Sequence, residues 1–144
     1  MFPTLQLPPA TLKISKQDGN FWVWCVLRKK KLLLTPEEWV RQHVIHYLLN
    51  TQQIGAGRLI SEMSLSINGQ TRRADLVVLD EHGRGKLIVE CKATTIPIDE
   101  KTFLQTSNYV QKTGAPYFWM TNGLQHVIMD CREGTFLADL PDSL

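Results

Sequence analysis

The chain has 144 residues, enough for one domain with its own core, and 43% of them are hydrophobic. Charged residues make up 21%, which excludes a disordered polyelectrolyte. The formal net charge of +2 is too small for bulk electrostatics to signal nucleic acid, so any such partner must be argued from a local site.

Residues 1 to about 20 read as an extended N-terminal arm, because Pro3, Pro8 and Pro9 forbid regular helix there, and residues 21–144 read as one domain. The start has no basic region, and prolines stand where a signal peptide would be apolar. No apolar run approaches the ~18 residues of a membrane span. A cytoplasmic protein without membrane contact is expected. FWVWCVL (residues 21–27) is a strand candidate that ends in the basic run Arg28-Lys29-Lys30-Lys31. TPEEWVRQHVIHYLL is the clearest helix. Thr35 suits the N-cap, Pro36 the first turn, and Glu38 completes a capping box. Val40, Val44, Tyr47 and Leu48 share one face, with Trp39 beside it.

Three strands follow. LISEMSLSI (residues 59–67) alternates, so one face is expected to be wet, and Asn68-Gly69 is a two-residue hairpin turn. ADLVVLD (74–80) and KLIVECK (86–92) are apolar on both faces, as central strands are. A second helix is predicted over residues 99–112, then strands at 115–121 and 126–131. Strands fed by a crossover helix imply an α/β fold, a mixed β-sheet flanked by helices. Cys25, Cys91 and Cys131 show no CxxC spacing and sit in or beside apolar runs, so they read as buried reduced thiols.

Chemistry concentrates at the end of KLIVECK. Glu90 and Lys92 point to one face of their strand, and Cys91 points to the other. An antiparallel hairpin through EHGRG would bring Asp75, at the start of the preceding strand, beside Glu90. Two facing carboxylates repel unless something positive joins them, usually a divalent cation. Their hard oxygens suit Mg²⁺ or Mn²⁺, and Lys92 could stabilise charge developing on a phosphate. Metal-assisted phosphodiester hydrolysis is the natural reaction for that set.

The spacing Asp75…Glu90-X-Lys92 is the D-(X)n-E-X-K signature of the PD-(D/E)XK nuclease superfamily, with Ala74 where its name has proline. PEEWVRQ, RRADLVV, LIVECKA, Gln105 with Tyr109, and a strand ending in TNG extend the likeness. Together they resemble the N-terminal nuclease domain of type I restriction enzyme R subunits, and the small stand-alone bacterial proteins similar to it, over about residues 30–131. The resemblance implies a restriction-endonuclease-like α-β-β-β-α-β core and a Mg²⁺-dependent (or Mn²⁺-dependent) DNA endonuclease of restriction or defence type. It implies Asp75 and Glu90 as metal ligands, Lys92 as the catalytic lysine, and Glu38 as the helix carboxylate that completes the metal site, with Glu37 its competitor. Gln105 and Tyr109 match a QxxxY element beside the active site. Gln105 joins the catalytic set, and Tyr109 joins Arg72 and Arg73 as candidate DNA contacts. The chain has no GxxxxGK[ST], so the ATP-driven motor of the R subunits is not expected of this polypeptide.

Plainer readings stand beside these. Asp75, Glu90 and Lys92 could be a cross-strand ion cluster, Glu38 a mere capping residue, and Glu62 an exposed strand carboxylate. His43 and His46 read as solvated or core histidines, and Arg28 to Lys31 either touch phosphate backbone or form a solvated strand-to-helix connection. Trp22, Trp24, Trp39 and Trp119 read as core or interface anchors. The whole chain could be a catalytically inactive nuclease-fold module for DNA binding or assembly, or a small structural protein. A domain of this size leaves DNA specificity to a homodimer or a partner subunit.

Overall fold

Short polar turns with left-handed residues organise the start of the chain. In the computed structural model, which describes residues 2–144, Asp18 (φ 53°) and Gly19 (φ 81°) close a hairpin between β1 (Ile14–Gln17) and β2 (Asn20–Cys25). Lys29 (φ 53°) closes the next turn, into β3 (Lys30–Leu33), giving a three-stranded antiparallel sheet. The extended segment expected over residues 1–20 therefore ends as a paired strand, and the basic run is divided between a turn and β3. Upstream of β1 the segment is tied to the body. Trp39 Nε1 donates to the Pro3 carbonyl (2.9 Å), Gln6 N donates to the Gly123 carbonyl (2.7 Å), and Leu5 is buried.

Helix α1 (Pro36–His46) starts at Thr35, whose Oγ1 accepts from Glu38 N (3.1 Å). The reciprocal half of the expected capping box is not used: Thr35 N donates to the Leu33 carbonyl, and the Glu38 carboxylate turns elsewhere. Val40, Val44 and Ile45 are buried; the helix then loosens into one π-type turn (Tyr47–Thr51) that still buries Leu48. Tyr47 packs edge-on against Trp119 (5.8 Å between centroids).

The main sheet has six strands in sequential order: β4 (Leu59–Ile67), β5 (Gln70–Leu79), β6 (Gly85–Cys91), β7 (Tyr117–Thr121), β8 (His126–Asp130) and β9 (Thr135–Leu137). All neighbours are antiparallel except β6 and β7, which run parallel because α2 (Glu100–Thr113) carries the chain back across one face. The fold is thus α/β with a mixed sheet flanked by helices. Strand β5 starts four residues before its apolar run, since the Asn68-Gly69 turn keeps Gln70 to Arg73 paired with β4. Strand β9, three residues after the Gly134 turn, has no apolar run long enough to signal it. One core lies under α1, with Leu76, Val78, Leu87, Val89 and Trp119; the other lies under α2, with Val77, Ile88, Phe103 and Phe118. Cys25 and Cys91 are buried, as expected. Cys131 is half-exposed because it lies one residue past the end of β8. Among the described residues no helix is long and apolar enough to cross a membrane.

Gly123 joins the N-terminal segment to this body. At φ +86°, an added Cβ would come 2.7 Å from the Leu5 side chain. Gly123→Ala combines left-handed strain with that overlap, and we expect a loss of about 1–3 kcal/mol in urea unfolding. A midpoint equal to wild type would show that the segment is not held there.

Candidate active site

The site begins where the β5–β6 ladder opens. Leu76 pairs with Val89, so the register carried one residue further sets Asp75 opposite Glu90. There a side chain replaces the backbone partner: Cys91 N donates to Asp75 Oδ2 at 2.7 Å. A carboxylate locked into a ladder has little freedom left. On the other side of β5, Ser61 pairs with Leu76 and Met63 with Ala74, which sets Glu62 in line with Asp75. Glu62, Asp75 and Glu90 thus form one row across β4, β5 and β6.

Glu62 adopts φ 54°, in the middle of a strand. Its neighbours explain the geometry. Leu59 belongs to the core under α1, while Met63 and Leu65 pack on the core under α2. Regular alternation would keep all three on one side. Strand β4 therefore changes face at Glu62. Ala74 and Leu76 on β5 divide between the two cores in the same way. The expected alternation of 59–67, with one face wet, is broken at this point for that reason.

Glu90 is half-buried, and its carboxyl is pushed up to about 7, first by burial and next by the Asp75 charge; Arg72 and Lys92 pull the other way. Lys92 N donates to the Thr121 carbonyl (2.8 Å), which holds the residue against β7 just beyond the strand end. The same Lys92 charge acts on Glu37 of α1. The Glu37 carboxyl is raised, by burial first and then by Asp75. Glu38 is the more buried of the two helix carboxylates: its Oε2 accepts from the buried Gln42 amide (3.0 Å), and its charge acts on Glu37 and Arg41. Asp75 and Lys92 act on both Glu37 and Glu90, so Glu37 is the helix carboxylate nearer that pair in charge.

Arg41, which sequence reasoning passed over, stands at the centre. Its Nη1 lies 3.2 Å from Glu62 and its Nη2 lies 3.5 Å from both Asp75 and Glu37, while Nε is 3.8 Å from Glu38. Its side chain is only 10% exposed, and Nε is buried without a hydrogen bond. Arg28 adds an ion pair to Glu62 at 3.0 Å. The signal was present: Arg41 is four residues after Glu37 and three after Glu38, so all three meet on one helix face.

Arg72 lies over the Tyr109 ring (4.9 Å to the centroid), and Tyr109 donates its hydroxyl proton to the Leu65 carbonyl (3.0 Å). Tyr109 thereby links α2 to β4 and supports Arg72 beside Glu90. Arg73 is exposed and adds positive charge near Glu62. Gln105 is exposed one turn before Tyr109, in an open groove along α2, and is not part of the Arg41 network. His43 is buried with Nδ1 2.8 Å from the Trp39 carbonyl, a core role.

Asp75, Glu90 and Glu37 offer hard oxygen donors, and the raised carboxyls of Glu90 and Glu37 mark negative charge that a divalent cation would relieve. In this arrangement the compensating cation is Arg41. Among the described residues no three Asp, Glu, His or Cys side chains form a ready cage. Against known proteins, the family model described as Type I restriction enzyme R protein N terminus matches residues 36–141, which include every residue of this site except Arg28. No curated protein and no solved structure matches the chain.

Two outcomes test the electrostatics. A carboxyl that holds its proton more tightly when folded stabilises the fold at low pH and loses that contribution as pH rises through its folded value. In EDTA, the Glu90 contribution should therefore fall by about 3 kcal/mol between its ordinary 4.5 and about 7, and Glu90→Gln should flatten that part of the stability profile. Identical profiles for the two proteins would contradict the assigned burial. Arg41→Met strips the carboxylates of their partner and should cost about 3 kcal/mol at pH 8 and less at pH 5, read by urea unfolding. An equal loss at both pH values would mean that packing, not charge, holds Arg41.

Proposed function

The chain belongs to the family of type I restriction enzyme R protein N termini, and on that premise we propose that it is a divalent-metal-dependent endonuclease that hydrolyses DNA phosphodiesters in a restriction system. One observation carries the reading. Asp75, locked into the β6 ladder by Cys91 N–H, faces Glu90, whose carboxyl is pushed up to about 7, with the Lys92 charge acting on Glu90. Arg41 pairs with Asp75, but Glu90 makes no salt bridge among the described residues, so one of the two facing carboxylates stands without a partner cation in contact.

Asp75 and Glu90 would hold Mg²⁺ or Mn²⁺, with Glu37 as the supporting helix carboxylate in place of Glu38, whose oxygen is engaged by Gln42. The bound ion supplies Lewis-acid polarisation of the phosphate and a more acidic water. Lys92 meets the negative charge that builds on the phosphate. Arg72, propped by Tyr109, and the exposed Arg73 neutralise flanking phosphates, and Gln105 touches the DNA backbone from α2. A second copy or a partner subunit supplies sequence specificity, and the work is done in the cytoplasm.

A second reading, an inactive module for assembly or DNA binding, is favoured by Arg41, which already compensates Glu37, Glu62 and Asp75. Calorimetry with Mn²⁺ separates the two. The nuclease should bind the ion, and Asp75→Ala should abolish binding. Lys92→Ala should retain binding within a few-fold while plasmid cleavage drops by about 100-fold or more. If the wild-type protein binds no Mn²⁺ even with a DNA oligonucleotide present, the inactive module is the correct account.

A further inference from the structure

The sheet formed by β1, β2 and β3 precedes the family match, which begins at residue 36. It concentrates the positive charge of the chain. Residues 13–33 contain six basic side chains and one acidic, Asp18, a net +5. The remainder has ten basic and thirteen acidic, a net −3, which together give the overall +2. Of the six, Arg28 pairs with Glu62; the five lysines make no salt bridge among the described residues.

The strand register sorts the faces. Trp24 pairs with Lys31 and donates its backbone N–H to the Lys13 carbonyl (3.0 Å), so it stands between two lysines. Two residues along β2, Trp22 stands between Ser15 and Leu33. Opposed residues and i, i+2 neighbours share a face. Val23 and Cys25, fully buried, take the inner face, so both tryptophans and both lysines take the outer one. Trp24 is 37% exposed and Leu33 46%. Burial would use this apolar area best, yet it faces solvent amid uncompensated cations.

That combination suits a polyanion with accessible ring faces. Aromatic side chains on a sheet stack unpaired bases, and a basic rim tracks the phosphates. A duplex hides its base faces except at its ends, so it gains only the charge. The platform also adjoins the acid row: Arg28, in the β2–β3 turn just past Trp24, forms its ion pair with Glu62 at 3.0 Å. We propose that the outer face of β1–β3 binds single-stranded DNA, stacking a base on the exposed Trp24, with the half-buried Trp22 as its floor, and neutralising phosphates with Lys13 and Lys31. The platform then leads the strand toward Asp75 and Glu90. That last step rests on the nuclease reading; the binding does not.

The probe is a fluorescein-labelled oligothymidylate of about 20 nucleotides, followed by anisotropy in EDTA so that no cleavage intervenes. Wild-type protein should bind it more tightly than a duplex of equal length and quench tryptophan fluorescence. Trp24→Ala should weaken binding about tenfold. Lys13→Ala with Lys31→Ala should lower the slope of log affinity against log salt by about 1.4. Lys112→Ala, an exposed lysine of α2 outside the platform, should bind as wild type does. Unchanged binding in both platform variants, with circular dichroism showing them folded, overturns the proposal. So does equal affinity for duplex, or tighter binding of the uridylate equivalent. Self-association that Trp24→Ala abolishes, without oligothymidylate binding, would reassign the face to a second copy of the chain. Normal oligothymidylate binding with no plasmid cleavage supports the platform and rejects the nuclease reading alone.

Discussion

The Arg41 guanidinium is the interaction on which the site depends. Carboxylates from α1, β4 and β5 lie within 4 Å of it, and it is almost wholly buried. Burying Glu38 and Asp75 beside the partly exposed Glu37 and Glu62 would be costly without a cation among them. Arginine suits the position because its planar fork presents five donors at once and it stays charged in any environment. The same contacts tie α1 to the bend of the β4–β5 hairpin, so the helix cannot shift without disturbing the acid row.

That bend is the second constraint. A strand that kept its alternation would drive either Glu62 or Met63 into the wrong layer. Strand β4 resolves the conflict at Glu62 by a left-handed residue, and β5 follows at Asp75. The cost of an unfavourable backbone angle, of order 1–3 kcal/mol, is offset by apolar burial on both sides of the sheet and by two arginines on the Glu62 carboxylate. As a result three carboxylates line up where the ladder is open.

The placement of charge has a consequence for any divalent cation. The Arg41 guanidinium already pairs with Glu62 and Asp75, so an ion entering beside either must improve on an existing partner. The groups that gain most are those Arg41 does not contact. Glu90 is the clearest of them, since burial and Asp75 leave its carboxyl the most perturbed of the row. Arg41 thus holds one end of the row, and Glu90 with the Lys92 charge stands at the other.

Much of this was determined by the sequence alone. The N-cap at Thr35, the turn at Asn68-Gly69, the two-sided apolar strands and the meeting of Asp75 with Glu90 across a hairpin all follow from local rules, because turns and caps depend on residues a few positions apart. The same locality explains what the sequence left open. Whether Glu37 or Glu38 faces the row depends on how α1 is rotated about its axis, and packing of Val40, Val44 and Ile45 on the sheet decides that. The role of Arg41 requires Glu62 and Asp75, 21 and 34 residues away in the chain, to be brought beside it. The face change at Glu62 arises only when two cores compete for one strand. The outward tryptophans of β2 depend on which side of a small sheet the body covers. Long-range packing, not pattern, made these choices.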